Sequence, residues 1–174
     1  MGNIKYKAWC NMIDDKISEL QLDEFKKIIN NPSSKLRTYK RIKNEMKLED
    51  YAVRLCRYDR CLIAELRSGV LPLRIETDRW AGMKQPQELR TCEVCESKEV
   101  EDEKHFLLYC EYYMSERKEL VEALEGEGVY LYELDETEQL KILYDEAGRH
   151  RAIVSFIRRA LKKRKRRLAC LLES

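Results

Sequence analysis

The sequence predicts an all-α fold of about seven helices with little or no β-structure, and three observations carry that expectation. Only 6 Gly and 3 Pro stand among 174 residues, too few for the frequent turns of a sandwich or barrel. Apolar residues make up 44% of the chain and charged residues 38%, a balance that suits amphipathic helices around one core. Where apolar residues cluster, they recur every three to four positions instead of alternating.

Residues 5–20 are predicted as a first helix ending at the polar stretch 19–21. Residues 22–30 then read as a second, with Asp23 as its N-cap and Lys26 and Lys27 towards its C-terminal end. Asn30-Asn31-Pro32-Ser33-Ser34 is the clearest early break, because Pro32 pushes Asn31 out of the helical region. A basic helical lobe follows over 32–90. Its first helix, 35–46, is capped by Ser33 or Ser34 and marked by Leu36, Tyr39, Ile42 and Met46. A helical pair is predicted at 48–55 and 58–68, and Gly69 supplies the left-handed residue that ends the second. Leu71-Pro72-Leu73 is a turn, and Pro86 marks a further loop.

The segment 91–125 reads as an acidic loop followed by a helix over about 104–124, broken by Gly126 and Gly128. In the last segment, 126–174, a short acidic helix is expected at 136–146 and a long basic one from 150 onwards. The first dozen residues lack the apolar stretch of a secretory signal, Tyr6 spoils a myristoylation pattern, and no apolar run is long enough for a membrane span. An intracellular protein with no membrane association is the expectation.

Seven cysteines, an odd number, fit a reducing compartment in which closely spaced thiols are metal ligands more often than disulfides. Cys10, Cys56, Cys61 and Cys170 sit among apolar neighbours and read as small buried hydrophobes. The other three belong to a constellation. Cys92 and Cys95 are separated by two residues, His105 follows after nine more, and Cys110 after a further four. Two cysteines so spaced can turn both sulfurs onto one ion, and a more distant pair closes the tetrahedron that Zn²⁺ prefers. Four protein ligands leave no open position for water, which makes the expected zinc structural. Geometry restricts the second pair. Residues five apart diverge by about 140° on a regular α-helix, so His105 must lie at or before the first turn, with residues 101–104 as the lead-in.

The stretch 62–120 resembles the reverse-transcriptase zinc-binding region that follows the polymerase in many non-LTR retrotransposon proteins. The likeness rests on Ile63-Ala64-Glu65-Leu66-Arg67-Ser68-Gly69, Arg79, Thr91-Cys92-Glu93-Val94-Cys95, Tyr113 and Arg117. Its most specific piece is Glu101-Asp102-Glu103-Lys104-His105-Phe106-Leu107-Leu108-Tyr109-Cys110. Residues 35–55 also look like the helices that precede this region in transposon-derived proteins. The resemblance implies that Cys92, Cys95, His105 and Cys110 are the metal ligands, and it carries over no catalytic residue. A parent protein would be an RNA-directed DNA polymerase. The polymerase's aromatic-x-Asp-Asp pair has no counterpart here: Asp14-Asp15, preceded by Ile13, reads as surface charge on an amphipathic helix. Endonuclease motifs, a Gly-rich phosphate loop and a nucleophile–base pair are also missing, and His150, flanked by Arg149 and Arg151, reads as surface. No catalytic activity is expected.

Charge is segregated. Residues 1–90 hold 19 Lys+Arg against 13 Asp+Glu, residues 91–148 hold 5 against 18, and residues 149–174 hold 10 against 1. Such ends can touch nucleic acid, or the acidic middle can fold back on them. The candidate phosphate contacts are Lys35, Arg37, Lys40 and Arg41 in the first cluster. In the second they are Arg158, Arg159, Lys162, Lys163, Arg164, Lys165, Arg166 and Arg167. The second run also resembles a nuclear import signal, which favours the nucleus over the cytoplasm. Tyr39, Tyr51 and Tyr58 lie near basic residues and can stack on unpaired bases or pack in the core. Tyr112, Tyr113, Tyr130, Tyr132 and Tyr144 sit in the acidic part and are expected to pack internally. Carboxylates crowd the proposed metal loop, so nucleic acid is expected on the basic ends and zinc as a staple. The sequence thus reads as a non-catalytic zinc-stabilised module binding RNA or DNA, template or target, with a polymerase partner or parent chain. A helical protein-interaction module derived from such an element is the alternative.

Overall fold

The computed structural model describes residues 2–31, 36, 39, 48–79, 85–145 and 149–173. The predicted helix 35–46 and the candidate contacts Lys35, Arg37, Lys40 and Arg41 lie outside the described residues. The protein is all-α. The described helices are α1 (Gly2–Asn30), α2 (Asp50–Arg54), α3 (Arg57–Ser68), α4 (Arg74–Thr77), α5 (Met114–Glu125), α6 (Glu136–Asp145) and α7 (His150–Leu172). Among the described residues there is no strand, only an isolated antiparallel bridge between Thr91 and Val100. None of the described helices is long and apolar enough to cross a membrane.

α3 and α5 pack against α7, and the core lies between them. Periodicity explains the arrangement. On α7 the buried residues Ile153, Phe156, Ile157, Ala160 and Arg164 recur at three to four positions and share one face. That face meets Ile63 and Leu66 of α3 and Leu120, Val121 and Leu124 of α5. Phe106 stands in the middle, its ring 5.4 Å from that of Phe156 and 5.0 Å, edge-on, from that of Tyr113. Residues from the predicted segments 32–90, 91–125 and 126–174 all enter this one cluster.

α3 ends as its sequence predicts. Gly69 takes the left-handed conformation, φ 71°, and the amide of Val70 reaches back to the carbonyl of Glu65 at 2.9 Å. Below it, Arg67 is 1% exposed and joins three distant parts of the chain. It donates to the Tyr144 carbonyl at 2.6 Å and to Glu49 at 3.0 Å, and its guanidinium lies against the rings of Tyr39 and Tyr51.

Several expectations are corrected. The two helices expected over 5–20 and 22–30 are one. Polar Glu19 and Gln21 are good helix formers, and nothing between residues 3 and 30 is Gly or Pro. The helix expected over 104–124 is interrupted at Cys110, for reasons given below. Cys56, Cys61 and Cys170 are exposed and Cys10 is half-buried. Cys61 lies on the far side of α3 from Ile63, since two residues turn a helix by about 200°, and Cys170 lies beyond the last core contacts of α7. His150 is instead buried, its ring 5.7 Å from that of Tyr51. Tyr113 and Tyr144 are buried, but Tyr130 and Tyr132 stand in solvent.

Candidate metal centre

The cysteine loop is a tight reversal. The bridge at Thr91 and Val100, with the Cys92 amide donating to the Glu99 carbonyl at 2.8 Å, fixes its two arms. Lys98 at the tip takes φ 56°, a left-handed conformation that lets the chain turn back. Cys92 and Cys95 thereby point to one side.

The second pair is delivered by an unusual turn. Asp102 accepts the amide of His105 on its side chain at 2.8 Å and that of Phe106 on its carbonyl at 3.0 Å, so the helix starts immediately before His105. Residues His105–Tyr109 then form a π-helical turn, closed by the Cys110 amide donating to the His105 carbonyl at 2.7 Å. Widening the turn brings residues five apart onto one face, and Cys110 leaves the helix with ψ 114°. This is how the His–x4–Cys spacing closes without the divergence an α-helix would impose.

An interrupted turn leaves its buried carbonyls short of amides, with only that of Cys110 met, by the Tyr113 amide at 3.2 Å. Arg117 of α5, 6% exposed, supplies the missing donors. Its Nε donates to Leu107 O at 2.8 Å, and its Nη2 to Cys110 O at 2.8 Å and, more weakly, to Phe106 O at 3.5 Å.

The four donor atoms, Sγ of Cys92, Cys95 and Cys110 and a ring nitrogen of His105, lie within 4.8 Å of one another and can hold one metal ion. Cys92 Sγ is 4.0 Å from Cys110 Sγ, far beyond a disulfide bond, and Cys95 Sγ is 3.3 Å from His105 Nε2. The other ring nitrogen, Nδ1, meets Glu99 Oε2 at 2.9 Å, which orients the ring with Nε2 towards the sulfurs. Three sulfurs and an imidazole this close perturb one another. The Cys92 thiol is pushed up to about 12 by its contact with Cys110 and by burial. Burial lowers the His105 pKa, but hydrogen bonds to Cys92 and Glu99 outweigh it and raise the value to about 9.

Beneath the loop Glu101 is fully buried and ties it to the last helix. Its carboxylate takes a two-pronged grip from Arg164, Nε at 2.7 Å and Nη2 at 2.6 Å, and also accepts the Arg74 amide at 2.9 Å. The sequence shows Glu99, Glu101 and Asp102 only as carboxylates crowding the metal loop and does not reveal their separate tasks. Asp102, three residues before His105, carried a legible capping signal; Glu101 and Arg164, 63 positions apart, carried none. A cleft of about 400 Å³ opens beside His105, but Glu99, Asp102 and Glu136 in its lining give it the wrong charge for a phosphate.

The candidate phosphate contacts on α7 divide into two sets. Arg158 pairs with Asp59, Arg159 with Glu119, and Lys163 with Glu116 at 2.9 Å, while Arg164 is buried on Glu101 and offers no edge to solvent. Here acids from α3, α5 and the metal loop do fold onto the basic helix. Lys162, Lys165, Arg166 and Arg167 are exposed, and among the described residues no carboxylate pairs with them.

Together these features define an all-α protein with a Cys3His cluster able to hold a metal ion. Comparison with known protein families, with curated proteins and with solved structures gives no match.

Proposed function

We propose that the chain is a non-catalytic, zinc-stapled module that binds single-stranded nucleic acid, of the kind found beside retrotransposon polymerases. Three thiolates and an imidazole are the donors Zn²⁺ prefers. A tetrahedron with Zn–S about 2.3 Å and Zn–N about 2.0 Å sets sulfurs about 3.8 Å apart and sulfur and nitrogen about 3.5 Å apart. The separations of 4.0 Å and 3.3 Å fit it. With all four positions taken by protein, the ion's task is to hold the loop and the π-turn together.

The observation that carries nucleic-acid binding is one face of α7. At about 100° per residue, Arg151, Lys162, Lys165 and Arg166 fall within an arc of about 100°, on the side opposite Ile153, Phe156 and Ala160. The stripe runs about 22 Å at 1.5 Å per residue, enough to follow several phosphates. Tyr58, 81% exposed, shares a groove with Arg158 and offers a face on which an unpaired base can stack.

Two measurements test this reading. Metal analysis of reduced protein should give one zinc per chain, lost in Cys95→Ser and His105→Ala; metal-free wild type would overturn the staple. Fluorescence anisotropy with a labelled single-stranded RNA, repeated with DNA, should show binding whose log affinity falls with log salt at a slope of about −3, for four contacts. The triple variant Lys162→Glu, Lys165→Glu, Arg166→Glu should bind at least tenfold more weakly with its helicity unchanged. Equal affinity of variant and wild type would refute the assignment to α7.

A further inference from the structure

We propose that α1 is a self-association element, pairing antiparallel with α1 of a second copy of this chain about a twofold axis at Ile13. Over its first twenty residues α1 is a long helix, and among the described residues nothing covers its apolar stripe. Tyr6, Trp9, Ile13, Ile17 and Leu20 are 38–65% exposed, whereas Ile29 at the far end is buried and Phe25 meets Tyr39 ring to ring at 6.1 Å. The helix is therefore anchored by its C-terminal end and offers the rest to solvent.

The stripe has a symmetry that selects its occupant. The five residues fall within an arc of about 80° on a regular helix, the narrow seam of a two-helix pairing. Their spacings are three, four, four and three, the same read from either end. Turning a second copy end over end about Ile13 sets Ile13 against Ile13, Tyr6 at the level of Leu20, and Trp9 at the level of Ile17. The aromatic end of one helix thus packs on the aliphatic end of the other.

Charge selects the orientation. Positions 2–13 carry Lys5 and Lys7 and no acid, while positions 14–24 carry Asp14, Asp15, Glu19, Asp23 and Glu24 against Lys16 alone. Antiparallel pairing lays the basic half on the acidic half; parallel pairing would lay like on like. The same five acids disfavour an anionic membrane surface, which wants basic flanks. Two half-exposed aromatics and three aliphatics put about 400 Å² of apolar side chain on each stripe, counting about 150–250 Å² per aromatic when fully open. A pair would bury about 800 Å² of it, below the size of tight interfaces, so the dimer should be weak and concentration-dependent, with Kd on the order of tens of micromolar.

The test is sedimentation velocity on the full chain from low to high micromolar concentration. Wild type should shift from monomer to dimer. Ile13→Asp, which meets its own copy at the axis, should weaken association at least tenfold while leaving the unfolding transition of the core unchanged, because the side chain it replaces is solvent-facing. Orientation is read with a short bis-maleimide in a background where Cys10, Cys56, Cys61 and Cys170 are replaced by Ser. A mixture of Tyr6→Cys and Leu20→Cys chains should cross-link, and each variant alone should not. A monomer at every concentration, a dimer indifferent to Ile13→Asp, or self-cross-linking of Tyr6→Cys would overturn the proposal.

Discussion

Arg117→Met should cost the protein about 3 kcal/mol and its grip on the metal. In the wild type, Phe106, Leu107 and Cys110 are at most 1% exposed, and where the chain leaves the helix their carbonyls run short of amides, the Tyr113 amide reaching only that of Cys110 at 3.2 Å. Arg117 donates to all three, at 2.8 Å twice and 3.5 Å once. Met fills much of the same volume but donates nothing. A buried carbonyl left without a donor costs about 1–3 kcal/mol and the loss of a second bond, as at Cys110, about 0.5–1.5 kcal/mol, so the three bonds together are worth about 3–5 kcal/mol. Freeing the buried guanidinium from desolvation returns part of this, which leaves about 3 kcal/mol. For a chain of this length that is about 6–12 °C in Tm. The alternative open to the segment is to tighten its π-turn into an α-turn, which rotates Cys110 about 140° from His105 and breaks the four-donor set. Urea unfolding at a fixed free zinc concentration should therefore show the stability loss, and competition with a chelator a zinc affinity at least tenfold lower. Arg117→Lys, able to keep one bond, should fall between. A Met variant within about 1 kcal/mol of wild type that binds zinc normally would refute the claim that Arg117 sustains the π-turn.

Three further outcomes follow from the same contacts. Glu99→Gln, which weakens the group orienting His105 through Nδ1, should lower metal affinity about tenfold in the same competition assay while stability in excess metal stays unchanged. Tyr113→Phe should be neutral or stabilising by up to about 1 kcal/mol in urea unfolding, because the buried Tyr113 hydroxyl has no hydrogen-bond partner among the described residues; a loss above about 1 kcal/mol would reveal one. The Glu116 carboxyl feels an upward push from burial, but its bond to Lys163 and a backbone amide outweigh it and hold it below the usual 4.5. A carboxylate so depressed stabilises the fold above its unfolded pKa and loses that contribution as pH falls through the folded value. Glu116→Gln should therefore lower stability at pH 7 and converge with wild type in the acid range, followed by thermal unfolding from pH 7 to pH 3; a constant gap across that range would contradict it.

The sequence by itself determined what depends on neighbours along the chain. Scarce Gly and Pro with helical periodicity specify an all-α protein, Gly69 ends α3 because glycine takes the left-handed cap conformation without steric cost, and the positions of Cys92, Cys95, His105 and Cys110 suffice to predict that they meet. The sequence also posed a geometric problem it could not solve, since residues five apart diverge on an α-helix. The π-turn that solves it needs carbonyl partners from Arg117 on another helix, and that dependence leaves no mark in the local pattern. The same holds for charge. The eight basic residues between positions 158 and 167 read as one patch, yet Arg158, Arg159, Lys163 and Arg164 are taken up by acids from α3, α5 and the metal loop. A helix presents its sides in different directions, and only the packing of α7 decides which side meets protein. Burial was misjudged at Cys56, Cys61, Cys170 and His150 for a related reason: apolar or charged neighbours in sequence lie on other faces of the helix, so they do not report which way a side chain points.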